Sequence, residues 1–257
     1  MIDLHLHLLP GVDDGAPDLA ASLQMARALV AAGVHRAVVT PHIDDWTAAA
    51  LPDRESVYRA TIDLQRSLRE SAIDLRLEAG GECYVTPELI DRHRAGLLPV
   101  WGVPPGALLI ELPHHQRIVQ LPVLLASLMR IGPRVLLAHP ERYPFVQADP
   151  AALDDLVEAG LLLQLTASSF RSGAQAALSE QLLRRGIVHV VASDAHNPQS
   201  VAAMVNGLER LNSIAGASTV QLLTQENPAA LLDGTGPLRP AQPDFRTRRS
   251  WFSFGRS

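Results

Sequence analysis

DLHLHLLPGVDDG, residues 3–15, places His5, His7, Asp13 and Asp14 almost at the start of the chain. Histidines on alternate positions share one face of a strand, and the aspartates follow in the loop beyond. Related groups recur downstream: His42 in TPHIDD, Glu82 in GGECYV, Glu111 in LLIELPHH, His139 in LLAHPERY, and Asp194 and His196 in SDAH. Imidazoles and carboxylates without thiolate suit manganese, iron, zinc or cobalt at a hydrolytic centre rather than a structural zinc site. The four carboxylates among these nine ligand candidates (Asp14, Glu82, Glu111 and Asp194) would balance two or three divalent cations. Such ions bind phosphoryl oxygens, acidify water, and stabilise attacking and leaving oxygens together. The chemistry these residues support is metal-assisted hydrolysis of a phosphoester.

A single strand-end histidine is weak evidence, since few histidines are ligands. Glu82 and Glu111 weigh more, because each lies inside an apolar run where a carboxylate is costly unless paired or metal-bound. The joint pattern is what counts. Five of the ten histidines and four carboxylates fall at equivalent places in successive segments. His35, His93, His114, His115 and His189 read as solvated or structural, with His114 and His115 near enough to Glu111 to reach a substrate.

These side chains need strands to aim them. Candidate strands are residues 2–6, 36–40, 75–85, 107–112, 134–138, 161–165 and 187–193, separated by stretches of helical period. Such alternation reads as βαβ units around a parallel sheet, either an open doubly wound sheet or a closed barrel. Both architectures gather ligands at the carboxyl ends of their strands. Six of the seven runs end in histidine or carboxylate, and the sixth run supplies only Gln164 and Thr166. Gly33 stands where a helix C-terminal cap belongs, and Thr86, Asp149 and Asn227 stand before prolines as candidate N-caps.

Composition excludes several other chemistries. All 22 basic side chains are arginine, so neither a lysine Schiff base nor a P-loop is available. The single cysteine, Cys83, rules out an internal disulfide framework, and no arginine stands six residues beyond it, where Leu89 is found. Beside Glu82 on a strand, Cys83 should point away from the metals. Ser168 and Ser169 lack a nucleophile elbow. A net charge of −5 gives no electrostatic case for nucleic-acid binding. With no apolar run of membrane-spanning length and no signal-like N-terminus, the expected compartment is the cytoplasm and the protein is not integral to a membrane.

HLH near residue 5, TPH at 40–42, AHPERY at 138–143 and SDAHN at 193–197 resemble the motifs of the PHP (polymerase and histidinol phosphatase) superfamily. MIDLHLHLLPGVDDG, GGE, LIELP, LLAHPERY and QLTASS are more similar still to its branch of bacterial metal-dependent protein-tyrosine phosphatases, which serve capsule and exopolysaccharide synthesis. The similarity covers roughly residues 1–232. It implies an α/β fold, a distorted TIM-like barrel of seven βα units. It also implies a trinuclear centre in which His5, His7, Glu82 and Asp194 hold one ion. Glu82 would bridge to a second ion held by Glu111 and His139, and Asp14, His42 and His196 would hold a third.

The same resemblance makes Arg142 the catalytic and phosphate-binding arginine, whose planar fork matches phosphate oxygens. Arginine is too weak an acid to protonate a leaving group, so its role is electrostatic. Manganese is the first expectation for the metal, ahead of iron, zinc or cobalt. The substrate implied is phosphotyrosine on a protein, a tyrosine kinase of polysaccharide export, which could also bring the enzyme to the inner membrane face. A small-molecule phosphomonoesterase such as a histidinol phosphatase is the alternative. Further readings are a non-catalytic regulator and an exonuclease-like module; the intact ligand set and the lack of net basic charge argue against them. The branch also has a second phosphate-contacting arginine soon after its DxH motif, whereas NPQSVAAMVNGLER offers none before Arg210. Residues 1–234 form the expected domain. Residues 235–257, rich in proline, then arginine and aromatics, are the expected flexible tail.

Overall fold

The computed structural model describes residues 1–43, 53–113, 121–130, 132–235 and 238–243. Among the described residues, nine parallel-paired strands run in chain order: β1 (Ile2–Leu6), β2 (Arg36–Val39), β3 (His42–Ile43), β4 (Arg76–Ala79), β5 (Glu82–Tyr84), β6 (Ala107–Glu111), β7 (Arg134–Ala138), β8 (Leu162–Thr166) and β9 (Val190–Ala192). They form a three-stranded sheet ordered β1-β2-β4 and a six-stranded sheet ordered β3-β5-β6-β7-β8-β9.

The two sheets are parts of one ring. Thr40 and Pro41 carry the chain from β2 into β3, and Gly80 and Gly81 carry it from β4 into β5. At the other seam the His7 amide donates to the Ala195 carbonyl at 2.9 Å, and the Asp194 amide to the His5 carbonyl at 2.8 Å. The buried Asp3 carboxylate accepts from the Ser193 amide at 3.0 Å and reinforces that closure. The result is a distorted barrel of seven strand units, with helices packed on its outside.

The run expected as one strand over 75–85 is therefore two. A side chain on Gly80 would meet Val38 Cγ1 at 2.4 Å, and one on Gly81 would meet Ile43 Cγ1 at 2.6 Å. Only glycine permits this approach, and the step it allows moves the strand from pairing with β2 to pairing with β3 and β6. The 36–40 run likewise divides its role with β3, and the 187–193 run shortens to Val190–Ala192.

Inside the ring, apolar columns become polar towards one end. Ala107 and Leu109 on β6, Leu162 on β8, and Val190 and Ala192 on β9 belong to a small apolar cluster. A period of two carries those columns on to Glu111, to Gln164 and Thr166, and to Asp194. Trp101 and the helix Asn227–Asp233, through Leu231 and Leu232, complete the same cluster. Outside the ring, a larger core joins the opposite strand faces to the surrounding helices.

Several expected details change. The helices beyond Thr86 and Asp149 begin only at Leu89 and Asp154, with Glu88 and Leu153 at their N-caps. Asn227 caps no helix; its amide donates to the His189 carbonyl and the Arg239 carbonyl, both at 2.7 Å. Part of the expected tail is also held against the domain. Ala241 is fully buried, and its amide donates to the Val188 carbonyl at 2.8 Å. His114, His115 and residues 244–257 lie outside the described residues.

Candidate metal centre

All nine ligand candidates and Arg142 come together at the carboxyl ends of the strands. His5 Nε2 lies 3.0 Å from Glu82 Oε2 and 3.3 Å from Asp194 Oδ1. His7 Nε2 lies 3.4 and 3.5 Å from the same two oxygens, and 3.3 Å from His5 Nε2. Glu82 sits at the centre of the group. Its Oε1 is 2.8 Å from His139 Nε2, and its Oε2 is 3.3 Å from His42 Nδ1. Glu111 approaches both His139 and His42 at 3.7 Å. Asp14 Oδ1 stands 3.5 Å from His42 Nε2 and 3.4 Å from His196 Nε2.

Four overlapping groups have ligand atoms within 4.8 Å of one another: His5, His7 and Asp194; His5, Glu82 and His139; His42, Glu82 and Glu111; and His7, Asp14, His42 and His196. The geometry thus adds His7 to the group around Asp14 and sets His42 between Asp14 and Glu82. The floor is buried, whereas Asp14 has a 69% exposed side chain and Arg142 a 35% exposed one. That edge is the open side of the group.

Local structure aims these groups. His139 (φ +34°) and Asp194 (φ +52°) adopt left-handed backbone just past β7 and β9. Such conformations are costly for residues with a side chain and concentrate at functional sites. Gly15 closes the loop behind His7, where a side chain would meet the His7 carbonyl oxygen at 2.2 Å. Beyond His196, Asn197 and Ser200 form a reciprocal capping box on the helix Pro198–Ala215, and Ser200 Oγ also accepts from the His196 amide at 2.9 Å.

A second layer orients the rings. Asp13 Oδ2 lies 2.7 Å from His7 Nδ1, and its other oxygen accepts from the Gly15 amide at 3.0 Å. Because a carboxylate only accepts, Nδ1 of His7 carries hydrogen, and the neutral ring turns the Nε2 lone pair inward. Gln164 Oε1 does the same for His5, at 2.9 Å from Nδ1. This is how metal-binding histidines are held. Gln164 and Thr166 had no chemical signature in the sequence; only their place at a strand end pointed to them.

The donors fit divalent ions. Inward lone pairs of His5 and His7 face carboxylate oxygens, an arrangement that repels unless a cation lies among them. Without one, protons must serve: burial would push His5 down, but Glu82 and Asp194 raise it to about 9. His7 is likewise raised against its burial, chiefly by Asp13, Asp194 and Glu82. Glu82 is held well below the usual carboxylate range, with burial opposed by His5 and by bonds from His139, His5 and His7. Among the described residues, His42 Nδ1 is buried with no hydrogen bond.

Arg142 ion-pairs with Asp194 Oδ2 and donates to Thr166 Oγ1 at 3.3 Å. Arg210, the next arginine after SDAH, is bound to Glu180 at 3.1 Å between two helices and does not join the site. Cys83 is buried in the outer core, as its strand position required, and burial raises its thiol to about 12. His189 is structural, its Nδ1 accepting from the Leu163 amide at 3.3 Å.

Fold and site together define a class: distorted seven-unit α/β barrels of the PHP type, with histidines and carboxylates massed on one rim. Comparison with known proteins narrows the class. A family model described as capsular polysaccharide synthesis, CpsB/CapC, matches residues 1–233, and the chain belongs to that family. It is 33% identical over 261 residues to the tyrosine-protein phosphatase YwqE of Bacillus subtilis (strain 168), covering 99% of this chain and 100% of that protein. Against the tyrosine-protein phosphatase CpsB of Streptococcus pneumoniae the identity is 25% over 243 residues, covering 90% and 98%. A solved structure from the pair YwqE and CpsB, described as unique metal-dependent tyrosine phosphatases, superposes with a TM-score of 0.85 at 30% identity, covering 95% of this chain and 99% of that one. Histidinol phosphate phosphatase of Lactococcus lactis shares the fold at a TM-score of 0.53 and 12% identity, covering 81% and 92%.

Proposed function

We propose that this protein is a metal-dependent protein-tyrosine phosphatase acting on a bacterial tyrosine kinase of capsular or exopolysaccharide synthesis. The observation that carries the reading is the convergence of nine imidazole and carboxylate groups with one guanidinium on a single rim. Two or three divalent ions, manganese foremost, would be held by His5, His7, Asp14, His42, Glu82, Glu111, His139, Asp194 and His196. Bound there, they would supply an acidified water and charge for the phosphoryl oxygens.

The protein's own groups do the rest. Arg142 receives the phosphate at the open edge. Its guanidinium stays charged at every working pH, because Asp194 and Glu141 raise its pKa against the effect of burial. It stabilises charge on the phosphoryl group and the departing oxygen without giving up a proton. A phenolate, with an ordinary pKa of about 10, leaves without strong acid assistance. That favours tyrosine phosphate over the alkyl esters of serine. No helix of the described residues is long and apolar enough to cross a membrane. We place the enzyme in the cytoplasm, reaching the membrane face through its kinase.

A competition assay tests the assignment, with manganese supplied and phosphotyrosine peptide, phosphoserine peptide and histidinol phosphate as substrates. Phosphotyrosine should turn over fastest. Preference for histidinol phosphate would reassign the protein as a small-molecule phosphomonoesterase, and turnover of none would remove the phosphatase reading.

A further inference from the structure

The turn after β7 sends two neighbouring side chains in different directions. His139 starts it, and Pro140–Arg142 form a single 3-10 turn closed by the Arg142 amide on the His139 carbonyl at 2.9 Å. Glu141 is fully buried, whereas Arg142 reaches the rim. Glu141 Oε1 accepts from the main-chain amide of Thr166 at 2.9 Å. Thr166, the last residue of β8, is 2% exposed and accepts from Arg142 Nη2 through its hydroxyl. The contacts close a loop: Glu141 fixes Thr166, Thr166 fixes Arg142, and Arg142 is the next residue after Glu141.

We propose that Thr166 is the positioning residue for Arg142, held at its post by the buried Glu141. The inference rests on the reading of Arg142 as the phosphate-binding group. One contact to Asp194 pins a single nitrogen of the guanidinium but leaves its plane free to swing. The hydroxyl accepts from the same Nη2, and because the two hydrogens of that nitrogen lie in the guanidinium plane, a second acceptor stops the swing. Arginine carries large rotamer freedom, and misplacing a charged group by about 1 Å costs up to about a hundredfold in rate. The acceptor's neutrality matters as well. A second carboxylate there would hold Arg142 more strongly but cancel the charge meant for phosphate. Asp194 already turns its other oxygen to His5 and His7, so its charge is shared.

The test compares full-length wild type, Thr166→Val, Thr166→Ser, Arg142→Ala and the Thr166→Val/Arg142→Ala double variant, all loaded with manganese. Readouts are kcat and KM on a phosphotyrosine peptide, the dissociation constant for inorganic phosphate by calorimetry, and metal content. Thr166→Val should lower kcat/KM and weaken phosphate binding about tenfold with metal content unchanged. Thr166→Ser should recover to within about threefold of wild type. In the double variant, valine should add nothing to the loss from Arg142→Ala. Wild-type behaviour of Thr166→Val, serine as poor as valine, or additive losses would overturn the proposal. If Arg142→Ala itself kept full activity and phosphate affinity, the fault would lie in the underlying reading of Arg142.

Discussion

Asp13 and Asp14 show how adjacent identical side chains take different work. Asp14 is exposed and faces His42 and His196, whereas Asp13 is turned under the loop against His7. The Asp13 carboxylate ends up below its ordinary pKa: burial opposes ionisation, but the His7 ring and the Gly15 amide outweigh it. Partners that orient a ligating histidine are worth about 10- to 100-fold in metal affinity or activity. Asp13→Asn keeps the size, loses the charge, and allows the amide to face His7 in the wrong orientation. The expected outcome is a metal affinity about tenfold weaker or worse, read by competition with a calibrated chelator on protein shown to be folded. Unaltered affinity would reduce Asp13 to a turn residue.

At the scale of elements, what was legible in the sequence depended on whether the cause was local. Alternation puts His5 and His7 on one face, and the βα rhythm puts Glu82, Glu111, His139 and Asp194 at equivalent strand ends; both are near-neighbour effects, and the structure brings these residues together. The break at Gly80–Gly81 was not legible, because it answers to Val38 and Ile43 on neighbouring strands. Asn227 looked like a cap for the same reason that asparagine before proline usually is one, and a long-range partner claimed it instead. His189 belongs to this class of distant effects. Burial beside β8 lowers its pKa from 6.5 to about 4, so it is neutral in the folded state. The unfolded chain therefore binds more protons between those values, and stability rises with pH across the window. The contribution is complete above about pH 6.5 and lost as pH falls towards 4. The difference is worth about 3 kcal/mol at most. His189→Gln can still accept from Leu163 but does not titrate. Urea denaturation from pH 4 to 7 should give a flatter stability profile for the variant than for wild type; parallel profiles would show that His189 does not titrate as argued.

The whole molecule sets where the domain ends. Composition places the boundary near residue 234, but the packing carries it further. The Ala241 amide on Val188, the Asn227 amide on the Arg239 carbonyl, and the Arg239 amide on Asn227 Oδ1 at 3.4 Å hold Leu238–Pro243 beside the strand that leads to Asp194. Ala241 is fully buried in the outer core, and Asn227 also holds the His189 carbonyl. Hydrogen bonds of this kind contribute about 1 kcal/mol each, and a buried partner left unpaired costs more. A chain cut after Gly234 would strand the Val188 carbonyl and part of the Asn227 amide; a chain cut after Pro243 would not. The shorter chain is expected to be less stable by about 2 to 3 kcal/mol, which for a domain of this size lowers the melting temperature by about 5 to 10 °C relative to the longer one. Differential scanning calorimetry on the two truncations, each with and without manganese, measures that gap. Because the held segment lies on the outer core rather than at the rim, the manganese-induced rise in melting temperature should be the same for both. Equal melting temperatures would move the boundary back to residue 234, and a smaller manganese effect in the shorter chain would show that the segment reaches the rim through β9.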